Sequence, residues 1–209
     1  MSIKDIYKVL PIKSEETYDW LLNKHYAKRI PSISWAFGLY EDGILVGVVC
    51  YGTPASPSLV IGVCGEEHLY KVIELNRLVL NDDLPKNSAS FLVGASLRML
   101  PKPKIVVSYA DTGRGHIGYI YQACNFIYTG LTVARTDIDT GDKHSRHYKK
   151  DCDYSKRKIR TQKHRYIYFV GCNKLRAKLN YPILPYPKGD NQRYDASYKP
   201  KTQGILFGD

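Results

Sequence analysis

Residues 105–130 read IVVSYADTGRGHIGYIYQACNFIYTG, and this stretch decides the fold. The run Ile105-Val106-Val107 has the apolar continuity of a strand buried on both faces. It ends in Ser108-Tyr109-Ala110-Asp111, passes through the glycine-rich turn Thr112-Gly113-Arg114-Gly115, and leads to a helical segment from about His116 to Asn125. A second strand, Phe126-Ile127-Tyr128, closes on Gly130. Polar side chains at the end of a buried strand, followed by glycines and a helix start, are a common way for α/β folds to build active sites.

Upstream, Tyr70 to Leu80 predicts another strand, interrupted by Glu74, Asn76 and Arg77. A charged pair inside a buried strand is costly unless it is partnered or used. Arg77 is therefore a candidate functional residue, and an internal Glu74–Arg77 ion pair is the structural alternative. Asn81 to Asn87 connects to a helix capped by Asn87 or Ser88 and running to Pro101. The start of that helix, with Lys86, Ser88 and Ser90, offers free N–H groups to an anion. Earlier still, Trp35–Tyr40 and Ile44–Tyr51 flank Asp42-Gly43, a strong hairpin signal. A loop of small residues runs from there to Gly65. Residues 14–26 have helical spacing, with Ser14 as N-cap and His25-Tyr26 at the end.

The chain has 209 residues and a net charge of +11. Residues 143–178 hold 13 of the 31 Lys and Arg against two acids, so the excess belongs to that segment. Tyr148, Tyr154, Tyr166 and Tyr168 interleave with the cations, a pattern suited to phosphate neutralisation and base stacking. Lys149, Lys150, Arg157, Lys158, Arg160 and Lys163 are the candidate nucleic-acid contacts. A solvated basic loop is the plainer alternative. No apolar run has the length of a membrane span, and the N-terminus lacks a secretory core. The five cysteines form no CxxC and suit reduced core thiols, so a cytoplasmic location is expected. Arg165–Val170 predicts a last strand. The expected division is one catalytic domain over 1–178 and an irregular Pro/Tyr-rich tail over 179–209.

Four blocks resemble the phage Mom proteins in order and type. They are His25-Tyr26; Phe37-Gly38 through Tyr51-Gly52-x-Pro54; Glu74-Leu75-x-Arg77 with Asn87-Ser88-x-Ser90; and Ser108-Tyr109-Ala110-Asp111 through His116, Gly118, Tyr121-Gln122-Ala123 and Tyr128-Thr129-Gly130. The resemblance implies a GNAT-like α/β fold: a mixed, mostly antiparallel sheet flanked by helices, with two central strands splayed around the donor. Those strands are expected at 72–80 and 104–109. The usual glycine-containing pyrophosphate signature of GNAT enzymes is absent here, since Asn81-Asp82-Asp83-Leu84-Pro85-Lys86-Asn87 stands in its place.

The resemblance further implies conversion of adenine in phage DNA to N6-(carbamoylmethyl)adenine, which protects it from host restriction. Double-stranded DNA is then the partner, and glycyl-tRNA or acetyl-CoA the donor. Adenine N6 is a weak nucleophile and needs a base to take its proton. Asp111 is the first candidate and His25 the second. Tyr121 or Tyr26 would protonate the leaving group or position the base. Arg77 and the N–H groups near Ser88 and Ser90 would hold an oxyanion or donor phosphate, and Ser108 and His116 would orient Asp111. Tyr51 or Trp35 would stack on the flipped adenine. His25, Asp111 and His116 also resemble a two-His-one-carboxylate set, which makes iron a candidate cofactor. The rival readings are a GNAT-like transferase acting on a hypermodified pyrimidine, and a basic DNA-binding protein without catalysis.

Overall fold

The computed structural model describes residues 2–138 and 155–190. Lys149 and Lys150, with Tyr148, Cys152, Tyr154 and the end of the tail, lie outside the described residues. The strands are β1 (Tyr7–Ile12), β2 (Trp35–Glu41), β3 (Ile44–Gly52), β4 (Val72–Leu80), β5 (Lys104–Asp111), β6 (Ile127–Leu131), β7 (Arg135–Ile138), β8 (Arg157–Arg160) and β9 (Lys163–Val170). The α-helices are α1 (Ile3–Ile6), α2 (Pro57–Cys64), α3 (Ser88–Met99) and α4 (Tyr119–Ala123).

Seven strands form one sheet in the order β1-β2-β3-β4-β5-β9-β6, and β7 and β8 form a separate two-stranded ribbon. Every pairing is antiparallel except β4–β5, whose parallel alignment requires a crossover that α3 supplies. The β2–β3 turn is the expected one, with Asp42 at φ 47° and Gly43 at φ 80°.

The pairing that matters most is a short one. Val72 to Leu75 align with Ile105 to Ser108, and there the ladder stops, although β4 continues to Leu80 and β5 to Asp111. The expected splay is present. Its cause is visible one strand away, where Cys50 faces Arg77 but Tyr51 faces Leu75, leaving Asn76 as an extra residue in β4. A bulge of this kind bends and twists its strand.

Alternation divides the sheet into two faces. On the first, Val106 and Ala110 of β5 and Tyr166 of β9 pack under Leu92, Val93 and Leu97 of α3. On the second, Ile105, Val107 and Ile167 pack under Val63 and Cys64 of α2. Trp20 and Leu21 cover Ala36, Val48 and Val79 on that same side. Cys50, Cys64, Cys124 and Cys172 are free thiols. Among the described residues no helix is long and apolar enough to cross a membrane.

Several local expectations are corrected. Residues 14–24 do not form a regular α-helix: a 3-10 turn over Ser14–Thr17 widens into a π-helix over Trp20–Lys24. Lys13, not Ser14, is the N-cap. The wide turn lets Trp20, Leu21 and Lys24 all be buried, and the Lys24 ammonium reaches Asp82 in the β4–α3 connection. The small-residue loop contains α2, with Ser56 as N-cap and Pro57 in the first turn, where proline is tolerated. The helix placed from His116 shrinks to α4, because Gly115 and Gly118 both sit at positive φ. A further strand, β1, lies along the sheet edge, where Pro11 costs no ladder bond.

Candidate active site

The splay opens a cleft of about 2260 Å³ through the middle of the sheet. On the first face it meets the start of α3, where Lys86, Asn87, Ser88 and Ala89 line it. The serine hydroxyls are already engaged: Ser88 Oγ donates to the Pro85 carbonyl at 2.8 Å and Ser90 Oγ to the Asn87 carbonyl at 3.0 Å. The helix therefore offers backbone N–H groups to the cleft, not hydroxyls. Ser90 does not line it. Ser108 is fully buried at the last paired position, and its Oγ donates to the Leu75 carbonyl at 2.9 Å. Tyr121 of α4 bonds to Ser108, and burial pushes its hydroxyl pKa up, so it enters the cleft neutral and able to donate.

Glu74, Arg77 and Tyr109 line the cleft from the second face. Glu74 and Arg77 would point to opposite faces of a regular strand, but the extra residue Asn76 brings both to the opening. They do not close an ion pair. Arg77 Nη1 donates to the Asn76 carbonyl at 2.6 Å, and its buried Nε has no partner. Burial lifts the Glu74 carboxyl pKa above the usual carboxylate range, against the pull of Arg77 and Lys163 and a backbone N–H from Ala55. A buried carboxyl of raised pKa holds a proton more tightly than an exposed one, a property that suits a general base once it is ionised. The sequence alone marks Glu74 as a partner for Arg77 and as part of a family block, and does not mark it as a base.

Asp111 is arranged differently. Burial raises its pKa, but the Thr161 hydroxyl at 2.6 Å, Lys163 at 3.3 Å and the Gly113 N–H at 3.0 Å outweigh burial and hold it low. It caps the 3-10 turn over Thr112–Arg114 and stands behind Lys163 and Thr161, which themselves line the cleft. A carboxylate fixed in this way is a positioning group and a poor proton acceptor.

His25 leaves the π-helix in extended conformation and is buried, with Nδ1 accepting from the Ala27 N–H at 3.0 Å. Burial, then Arg77, pushes its pKa down to about 3, so it is neutral with its proton on Nε2. His25 is thus a hydrogen-bond donor, not a base. Its ring stacks on Tyr26 at 4.3 Å, and Tyr26 in turn meets the His116 ring edge-on at 5.9 Å and the Arg114 guanidinium at 5.2 Å. Burial lowers the His116 pKa, against Asp111. The iron expectation fails on this geometry. The Asp111 carboxylate is taken up by Lys163, Thr161 and Gly113, the Tyr26 ring packs against both imidazoles, and among the described residues no three metal-ligating side chains converge.

The low His25 pKa has a measurable consequence. An unfolded histidine takes up a proton near pH 6.5, whereas the folded one refuses it down to about 3. Stability therefore falls as pH drops from about 6.5, by up to about 1.4 kcal/mol per pH unit. Denaturant titrations should show that slope in the wild type and a shallower one in His25→Asn, whose amide oxygen can still accept from Ala27; His116 and His164, also lowered by burial, keep the remainder.

Neither aromatic expected to hold the flipped base lines the cleft. Tyr51 is fully buried, with its hydroxyl 2.7 Å from Ser96 Oγ of α3, and Trp35 sits elsewhere under the Lys104 ammonium. Tyr51→Phe should cost about 1 kcal/mol of stability in thermal melts and leave turnover unchanged. Tyr119, not among the sequence candidates, is half-exposed on the cleft wall and presents an aromatic ring there. Of the basic candidates, Arg160 and Lys163 line the cleft, whereas the Arg157 guanidinium is held by Thr136 on the other side of the ribbon and Lys158 is placed only as a strand residue. Arg29 joins the cleft without having been expected.

The sequence model of the Mom protein family matches residues 6–188. Over 112 residues, 51% of the chain, the sequence is 35% identical to the methylcarbamoylase mom of Escherichia phage Mu. That match covers 46% of the relative, so the chain spans about half the length of the protein it resembles. Among solved structures, the spermidine/spermine N-acetyltransferase SpeG of Vibrio cholerae aligns over 84% of this chain and 99% of its own, at 8% identity and a TM-score of 0.49. An N-acetyltransferase of Staphylococcus aureus Mu50 aligns over 78% and 98%, at 14% identity and a TM-score of 0.47. With its family's model matching almost end to end, this chain belongs to the Mom protein family.

Proposed function

We propose that this protein is a transferase that modifies adenine in phage DNA, producing N6-(carbamoylmethyl)adenine and so protecting the DNA from host restriction. The observation that carries the reading is the placement of Glu74, a buried carboxyl of raised pKa, where β4 and β5 part. The cations Arg29, Arg77, Arg160 and Lys163 line the same cleft, and the start of α3 and Tyr121 approach it from the other face. The donor enters under α3, and the nucleic acid approaches on the cationic side.

The product dictates the donor. Acetyl transfer adds two carbons and an oxygen but not the second nitrogen of the product, so acetyl-CoA alone does not balance and a glycyl ester such as glycyl-tRNA does. In the first step N6 attacks the ester carbonyl and its proton passes to Glu74. The carbon–oxygen bond breaks, and the leaving oxygen takes a proton from Tyr121. The Nε2–H of neutral His25 and the Arg77 guanidinium offer donors to the developing oxyanion. In the second step the new glycyl amine attacks C6 through a five-membered spiro intermediate. The C6–N6 bond then breaks, and the old N6 becomes the amide nitrogen. Because this attack is intramolecular, proximity supplies much of its barrier reduction. DNA carrying a heavy-nitrogen label at adenine N6 should yield product labelled in the amide. A label retained on the ring-bound nitrogen would rule the rearrangement out.

A further inference from the structure

The chemistry lies inside a cleft, yet adenine N6 lies inside a base stack, so something must hold the duplex open while the base is out. Val133, in the β6–β7 connection, is 85% exposed and lines the mouth of the cleft. Single exposed apolar residues are ordinary on protein surfaces. This one is unusual in how firmly it is presented. Its neighbour Thr132 is pinned three times: its N–H donates to the Lys163 carbonyl, its Oγ1 accepts from the Lys163 N–H, and its carbonyl accepts from Gln162 Nε2, each at 2.9 Å. Two residues later the chain enters the β7–β8 ladder at Arg135, paired with Arg160. Val133 is thus the tip of a short arch fixed at both ends.

The surroundings select the partner. The ribbon carries Arg135, Arg157, Lys158 and Arg160 against one acid, Asp137. Arg135 and Arg160 line the cleft, and Asp137 steadies Arg160 at 3.2 Å. A rigid apolar tip beside arginines matches duplex DNA, where apolar wedges part base steps and cations hold the flanking phosphates. Resting on the reading that the cleft receives a DNA adenine, we propose that Val133 is a wedge filling the place of the extruded base, with Arg135 and Arg160 on the phosphates to either side.

The test needs no donor, which separates it from the chemistry. The probe is a duplex with 2-aminopurine at adenine positions, whose fluorescence rises on unstacking. The full-length protein should raise it. Val133→Ser should reduce the unstacking equilibrium by about tenfold, retain duplex affinity within about threefold, and melt like the wild type. Setting the probe opposite an abasic site should restore the variant's signal, because no base pair then needs to be broken. Ile159→Ser is the control: Ile159 is 83% exposed, but its ladder position puts it on the ribbon face away from Arg135 and Arg160. It should behave as the wild type. The wedge is overturned if the wild type does not unstack the probe, if Val133→Ser unstacks it normally, or if its defect persists opposite the abasic site. Displacement of the duplex by an equal concentration of uncharged tRNA, abolished in Arg135→Ala, would also overturn it, since the ribbon would then serve the donor. Normal unstacking with no modified nucleoside in cells would leave the wedge standing and remove the transfer reaction.

Discussion

Glu74→Gln should lower transfer by about 10²- to 10⁴-fold, the range typical for loss of a general base, while leaving the protein folded. The amide keeps the shape of the side chain and removes only its ability to take a proton. Stability should move the other way. Because burial raises the folded-state pKa, the folded chain holds a proton on Glu74 that the unfolded chain has released at the same pH. Stability is then lost as pH rises from the unfolded carboxyl range through the raised folded value. The glutamine variant lacks that loss, so at neutral pH it should match or exceed the wild type in thermal melts. Activity of the wild type should rise with pH through the Glu74 titration, and the variant should lack that limb. Asp111→Asn gives the contrast. It should weaken the turn that holds Thr161 and Lys163 but leave the pH profile in place, since the low pKa of Asp111 keeps it ionised throughout.

Gly118→Ala should be a severely damaging single-methyl change beside the cleft. Gly118 sits at φ +82°, and an added Cβ would come within 2.3 Å of the Tyr166 ring. That ring cannot retreat: it is fully buried, its hydroxyl donates to the Ile117 carbonyl, and Gln122 Nε2 donates to it at 3.1 Å. A non-glycine residue in the left-handed region costs about 1–2 kcal/mol and overpacking a further 1–3 kcal/mol, so a loss of about 2–5 kcal/mol is expected. Turnover should fall too, because Gly118 is the residue from which α4 starts and Tyr121 hangs. Chemical denaturation gives the first quantity, and single-turnover kinetics on the folded fraction gives the second.

What the sequence disclosed and concealed follows from the range of the forces involved. The Asp42-Gly43 turn, the Ile105–Val107 run and the start of α3 are set by neighbouring residues, and their elements could be placed from spacing and turn chemistry. The splay, expected from the family resemblance, is produced by a bulge at Asn76 that depends on the register between β3 and β4, which no local pattern encodes. The same bulge turns Glu74 and Arg77 to one side, so in the sequence the proposed base reads as half of an ion pair. Tyr51 misled for a related reason. β3 is buried along nearly its whole length, and a continuous apolar run does not say which aromatic faces the opening. Asp111 was located at the right strand end, but Thr161 and Lys163, which fix its charge, lie some fifty positions away in the chain. The π-helix before His25 follows from the burial of Trp20, Leu21 and Lys24 together, a tertiary demand.

The most direct test is the nucleoside composition of DNA from cells making this protein beside cells making Glu74→Gln. The account predicts a deoxyadenosine heavier by the elements of one glycyl residue in the first and its absence in the second, with both proteins folded and equally abundant. An altered pyrimidine would move the substrate to another base. Unmodified DNA in the first, or equal modification in both, would contradict the account.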